Sequence, residues 1–101
     1  MNVLVKKDGS ETYIEFSGEM TIQCVANILQ RIEQEKDVFK SNIKVNVAQV
    51  TEIDTAGIQL LLYMKKKLQG ESKDARFVIE QANDAVSYPL RLLRQESMLL
   101  S

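Results

Sequence analysis

The chain has 101 residues, with 13 basic and 14 acidic side chains, a net charge of −1 and 45% apolar residues. That length suits one domain with a modest core, and the balanced charge offers no basic face for nucleic acid or an anionic membrane surface. There is no histidine and a single cysteine, Cys24, which excludes a Ser-His-Asp or Cys-His nucleophile, an imidazole metal site and a disulfide within the chain.

Nothing near Met1 has the pattern of a signal peptide, because Lys6, Lys7 and Asp8 follow a very brief apolar start. The uncharged stretch from Thr55 to Met64 is too short for direct membrane insertion. The expectation is a cytoplasmic protein with one domain over residues 1–101, no catalytic residues, no metal and no cofactor.

In chain order, Val3–Lys6 is short and β-prone, and Asp8-Gly9-Ser10 reads as a turn. Thr12–Phe16 alternates as a strand, with Ile14 and Phe16 toward the core and Tyr13 and Glu15 away from it. Ser17-Gly18-Glu19 breaks that pattern, and Thr21 stands where a helix N-cap belongs. Ile22, Val25, Ala26, Leu29 and Ile32 then recur at helical spacing, predicting a helix to about Lys36 with this stripe inward.

Ile43–Val47 alternates β-branched and polar residues as a half-buried strand. A second helix opens at Asp54-Thr55-Ala56-Gly57 and carries Ile58, Leu61, Leu62 and Leu68, widened by Leu60, Tyr63 and Met64. Lys65–Lys67 are expected in its last turn and Gly70 as its left-handed C-cap. Phe77–Ile79 is a further short strand. A turn at 83–87 and a third helix with Pro89 near its first position complete the chain. The order β-β-α-β-α-β-α predicts an α/β fold: helices packed on one mixed sheet of four to five strands.

Ile53–Ile58 is the most informative segment. A short loop feeds the N-terminus of a buried helix, where outward amides and the helix dipole suit an anion. A hydroxyl there is a candidate phosphoacceptor, with Asp54 and Glu52 opposing the added charge. Spacing alone favours the plainer reading, in which Asp54 or Thr55 simply caps the helix, both being ordinary cap residues. Gly57 in the first turn permits either close approach of another backbone or partner, or tight helix–sheet packing.

The remaining candidates have structural explanations. Lys65–Lys67 cannot form one stripe on a helix, and Cys24 has no basic neighbour in sequence to activate it. Glu52 and Asp54 lack a further carboxylate for metal or acid–base work. Glycines 9, 18, 57 and 70 make no phosphate-cradling loop.

The run Phe16-Ser17-Gly18-Glu19-Met20-Thr21, the strand Ile43–Val47 and the run Val50–Leu61, with Asp54-Thr55-Ala56-Gly57 at its centre, resemble the STAS domain. That is the domain of anti-sigma factor antagonists and sulfate-transporter tails. The resemblance covers about residues 11–95. The hydroxyl residue is threonine where serine is commoner, alanine follows it, and the usual Leu-Gly-Leu ending is missing.

The resemblance implies a switch protein that, unphosphorylated, binds an anti-sigma factor which is also a serine/threonine kinase of the histidine-kinase-like ATPase fold, releasing a sigma factor. It implies Thr55 as the phosphorylation site, reset by a PP2C-type phosphatase. It further implies Glu19, Met20, Thr21, Asp54, Ala56 and Gly57 as partner-binding residues. The Asp-Thr-Ala-Gly form is also similar to small STAS proteins of bacterial chemotaxis and two-component signalling. A STAS accessory subunit of a phospholipid-transport ABC complex, bound to its ATPase, is the alternative.

Overall fold

A computed structural model of the chain describes residues 2–9, 11–35, 38–80 and 85–86. Strands β1 (Asn2–Asp8) and β2 (Glu11–Met20) pair antiparallel with Val5 opposite Ile14. They turn at Gly9, whose φ of 61° suits a residue without a Cβ. Strand β3 (Asn42–Ile53) lies parallel to β2, and β4 (Phe77–Glu80) parallel to β3, giving one four-stranded mixed sheet in the order β1-β2-β3-β4. Helix α1 (Ile22–Glu33) connects β2 to β3 through a single 3₁₀ turn at Val38–Lys40, and α2 (Thr55–Glu71) connects β3 to β4.

Alternation along the strands sorts the two sheet faces. Ile14, Phe16, Ile43, Val45 and Val47 are buried under the helices, while Tyr13 and Glu15 are exposed. On the open face Lys44 lies 3.6 Å from Glu11, 3.9 Å from Glu80 and over the Tyr13 ring. Glu11 above all, with Tyr13 and Glu80, holds the Lys44 ammonium above its ordinary pKa.

Several expectations change. Ser17-Gly18-Glu19 does not end β2. The strand runs on to Met20 because its backbone keeps pairing with β3, whose register shifts by an extra residue before Gln49 and again before Glu52. Gly18, at φ 98°, accommodates the distortion, and on β3 the Ala48 amide donates to Asn46 Oδ1 at 2.9 Å. Strand β3 therefore reaches Ile53, leaving Asp54 alone between sheet and helix.

Helix α1 ends at Glu33, short of Lys36, and its fully buried residues are Ile28 and Ile32. Ile22 and Ala26, expected inward, are exposed. Helix α2 continues through Lys65–Lys67 and Gly70 to Glu71, so the lysines are not its last turn. Gly70 is not a left-handed cap; Ser72 closes the helix, its amide donating to the Leu68 carbonyl at 2.8 Å. Leu68 is fully buried and anchors that turn to the core. Of the expected turn at 83–87 only Ala85 and Val86 are described, Val86 buried in the core. The third helix with Pro89 lies outside the described residues.

Candidate functional site

β2 and β3 end side by side. Met20 pairs with Ile53, and each strand passes through one residue, Thr21 or Asp54, into a helix. Two helix N-termini thus meet at the carboxyl ends of adjacent parallel strands, where open α/β sheets build their binding surfaces.

Asp54 ties this junction together. Its Oδ1 accepts from the Gly57 amide at 3.0 Å, capping α2, and its Oδ2 accepts from the Ile22 amide at 2.9 Å, capping α1. Its own amide donates to the Met20 carbonyl at 3.2 Å. Thr21 occupies the N-cap position of α1 in extended geometry, but its side chain makes no capping bond. Asp54 supplies that bond from another strand, a substitution that local spacing could not reveal. Desolvation pulls the Asp54 carboxyl upward, but the amides of Ile22, Gly57 and Ala56 outweigh it and hold the group below its ordinary value of 3.8.

Gly57 is buried, and the structure distinguishes between its two readings. A Cβ there would lie 2.2 Å from the Met20 carbonyl oxygen and 2.7 Å from Ile53 Cγ1. The glycine lets α2 seat against the end of β2. Met20 is itself completely buried. Neither residue presents a side chain to a partner in this arrangement; both shape the surface from beneath.

Thr55, the first residue of α2, is exposed, and its hydroxyl makes no hydrogen bond among the described residues. Ala56 beside it is half-buried, as are Thr21 and Asp54. Glu19 is exposed and lies directly across from exposed Glu52 in the β2–β3 register. Like charges so placed repel, and neither carboxylate has a cationic partner among the described residues. At Thr55 the neighbouring Asp54 carboxylate already occupies amides at the helix end. A further anion attached to Thr55 would meet repulsion there rather than a vacant cradle.

Sequence periodicity missed the neighbouring groove. Ile22, Val25, Leu29, Ala56, Leu60 and Tyr63 line a shallow apolar channel between α1 and α2. Ile22 is 68% exposed and Tyr63 38%. A helical stripe identifies apolar residues but not which of them the fold covers. Ile22 stands at the first turn of α1. Cys24 is half-buried and packs against the core. Among the described residues no group of three His, Cys, Asp or Glu is placed to hold a metal, and no helix is long and apolar enough to cross a membrane.

Comparison with known proteins places this geometry in context. The family model described as "Mlab, STAS domain" matches residues 3–100. The unphosphorylated anti-sigma factor antagonist SpoIIAA superposes with a TM-score of 0.76 at 16% identity, over 98% of this chain and 86% of that one. An anti-sigma factor antagonist from Mycobacterium paratuberculosis gives 0.82 at 17% identity, over 97% and 81%. The STAS domain of an anti-sigma factor antagonist from Rhodobacter sphaeroides gives 0.65 at 21%, over 83% and 89%. At these identities the likeness is one of fold. No curated protein matches the chain.

Proposed function

The chain belongs to the STAS domain family, a family of non-enzymatic binding domains, and on that premise we propose that it is a phosphorylation-controlled protein-binding switch of the anti-sigma factor antagonist kind. The observation that carries the reading is the exposed Thr55 hydroxyl, without a hydrogen bond among the described residues, at the head of a buried helix whose end is locked by Asp54. In its unmodified state the surface of Thr21, Thr55 and Ala56, with Glu19 beside it, binds an anti-sigma factor in the bacterial cytoplasm. That partner is a serine/threonine kinase of the histidine-kinase-like ATPase fold, and binding it frees a sigma factor for transcription. Phosphorylation of Thr55 reverses the binding, and a PP2C-type phosphatase restores it.

Physically the switch is a change of charge on a rigid platform. A phosphoryl group adds roughly 1.5 to 2 negative charges. Beside the Asp54 carboxylate it meets like charge, and covering it in an interface costs several kcal/mol. Since each ~1.4 kcal/mol is tenfold in affinity, this is sufficient to release a partner without refolding the domain.

The test is capture from the native cell by wild type, Thr55→Ala and Thr55→Glu. A kinase-like ATPase should be held by the first two and lost by the third; equal capture by all three refutes the switch. A second reading, a constitutive accessory subunit of a phospholipid-transport ABC complex, is favoured by the matched family model being the Mlab type. It predicts an ATPase partner retained by Thr55→Glu.

A further inference from the structure

Strand β1 forms one edge of the sheet, and no described strand pairs with its outer side. It pairs with β2 without interruption over 7 residues and carries neither a bulge nor a proline, two of the devices that blunt a sheet edge. The two-residue connection makes Asp8 and Glu11 a hydrogen-bonded pair. Counting back by twos, Lys6, Leu4 and Asn2 turn their backbone groups toward β2, and Val3 and Val5 turn theirs outward. Leu4, opposite exposed Glu15, is 47% exposed on the open face of the sheet. Val3 and Val5 are half-buried on the helix face. A cleft of about 300 Å³ is lined by Asn2 and Val3 of β1 and by Cys24, Asn27, Ile28 and Arg31 of α1. No residue of β2 lines it, so it lies over the free edge.

We propose that this edge is a self-association site, on which β1 of a second copy adds antiparallel and joins the two sheets into one. The two-fold axis then stands perpendicular to the sheet and keeps both helical layers on the same side. It pairs residues of the same face, so the register is centred on a residue. Centring on Leu4 sets Leu4 against Leu4, Val3 against Val5 and Asn2 against Lys6. The central pair is then of the non-hydrogen-bonded kind, in which side chains approach most closely. The outward backbone groups of Val3 and Val5 meet those of Val5 and Val3 in the other copy. Val5 of each copy also stands beside the cleft at Val3 of the other and extends its apolar layer. Centring on Lys6 would oppose two ammonium groups, and centring on Val5 would set Leu4 against Lys6. The occupant is a second copy because the strand complements itself: apolar meets apolar, and no like charges are opposed.

The contact is short, so the dimer is reversible and concentration-dependent. Its two-fold axis points the Thr55 surfaces of the two copies in opposite directions along the strands. Neither surface covers the other, so the dimer offers two partner-binding surfaces at once, and a partner with two sites gains in avidity. Thr55→Glu lies outside the contact and leaves the dimer unchanged.

The experiment is sedimentation velocity on the purified full chain across the micromolar to millimolar range, where wild type is expected to shift from monomer to dimer. Leu4→Glu and Leu4→Lys each place like charges on the two-fold axis and should weaken the dimer roughly tenfold. Their equimolar mixture should restore it as a heterodimer. Thermal melts confirm that each variant is folded. Cysteine linkage supplies an independent arm if either charge variant unfolds. Under mild oxidation Cys24→Ser/Leu4→Cys should form a disulfide-linked dimer and Cys24→Ser/Lys6→Cys should not, because only position 4 meets itself. A wild type that stays monomeric throughout leaves the edge to a strand of another protein and overturns the proposal, as do folded charge variants that fail to pair. A dimer that Leu4→Glu tightens, or linkage through Lys6→Cys in place of Leu4→Cys, overturns the register. A dimer lost in Thr55→Glu overturns the placement of the contact. None of these outcomes depends on a kinase, so they are separable from failure of the switch.

Discussion

Replacing Gly57 with alanine probes how the two helix ends are held together. The new Cβ would sit 2.2 Å from the Met20 carbonyl oxygen and 2.7 Å from Ile53 Cγ1. The Ile53 side chain has some freedom. The Met20 carbonyl has little, because it is backbone and accepts the Asp54 amide at 3.2 Å. Restoring an ordinary contact distance moves α2 outward by roughly 1 Å. Overpacking of this kind costs about 1–3 kcal/mol. The Asp54 hydrogen bonds that span the gap weaken too, each contributing about 0.5–1.5 kcal/mol. Against this, alanine returns at most about 1 kcal/mol of helix propensity. The net expectation is a loss of about 2–3 kcal/mol, seen in a domain this small as a fall in Tm of roughly 10 °C or more.

Gly70→Ala in the same helix is the internal control. Its Cβ would meet nothing within 4 Å, so it should be neutral or stabilising by at most about 1 kcal/mol. Urea denaturation of the three proteins at neutral pH measures both. A Gly57→Ala protein as stable as wild type, or glycine substitutions that shift stability in the same direction, would refute the close-approach argument.

Other outcomes follow from the same junction. Asp54→Ala leaves the Ile22 and Gly57 amides uncapped and should cost roughly 2 kcal/mol, at about 1 kcal/mol for each cap; chemical denaturation gives the value. Because the Asp54 pKa is lowered on folding, its contribution is complete above the unfolded value and is lost as pH falls through the folded one. The stability gap between wild type and Asp54→Ala should therefore hold at neutral pH and close below about pH 4, in melts recorded along a pH series. Thr55→Ala and Thr55→Glu change an exposed side chain without partners among the described residues and should move stability by no more than about 0.5 kcal/mol. A large loss in either would make any binding defect a folding defect.

How far the molecule could be read from its residues depended on whether the cause was local. The alternation in Thr12–Phe16 and Ile43–Val47, the turn at Gly9 and the cap at Asp54 are local devices, and each is found where its residues place it. The continuation of β2 through Gly18 is not local, since it depends on parallel pairing with a bulged β3. The same bulges set Glu19 beside Glu52, a juxtaposition no spacing along the chain contains. Helix α1 shows the limit of periodicity: Ile28 faces inward while Ile22 faces water, because coverage depends on what packs above the stripe. Gly70 and Lys65–Lys67 lie within the helix for a related reason. Burial of Leu68 carries α2 past residues that would end an isolated helix.

The switch turns on one hydroxyl, so its most direct test is the affinity of the captured kinase-like partner for the purified chain before and after stoichiometric phosphorylation. Calorimetry gives the two affinities, and intact and peptide mass spectrometry locate the phosphate. The account predicts a single phosphate on Thr55, none on Thr55→Ala, and binding weakened at least tenfold in the modified protein. Equal affinity of the two forms, or a phosphate that persists in Thr55→Ala, would contradict it.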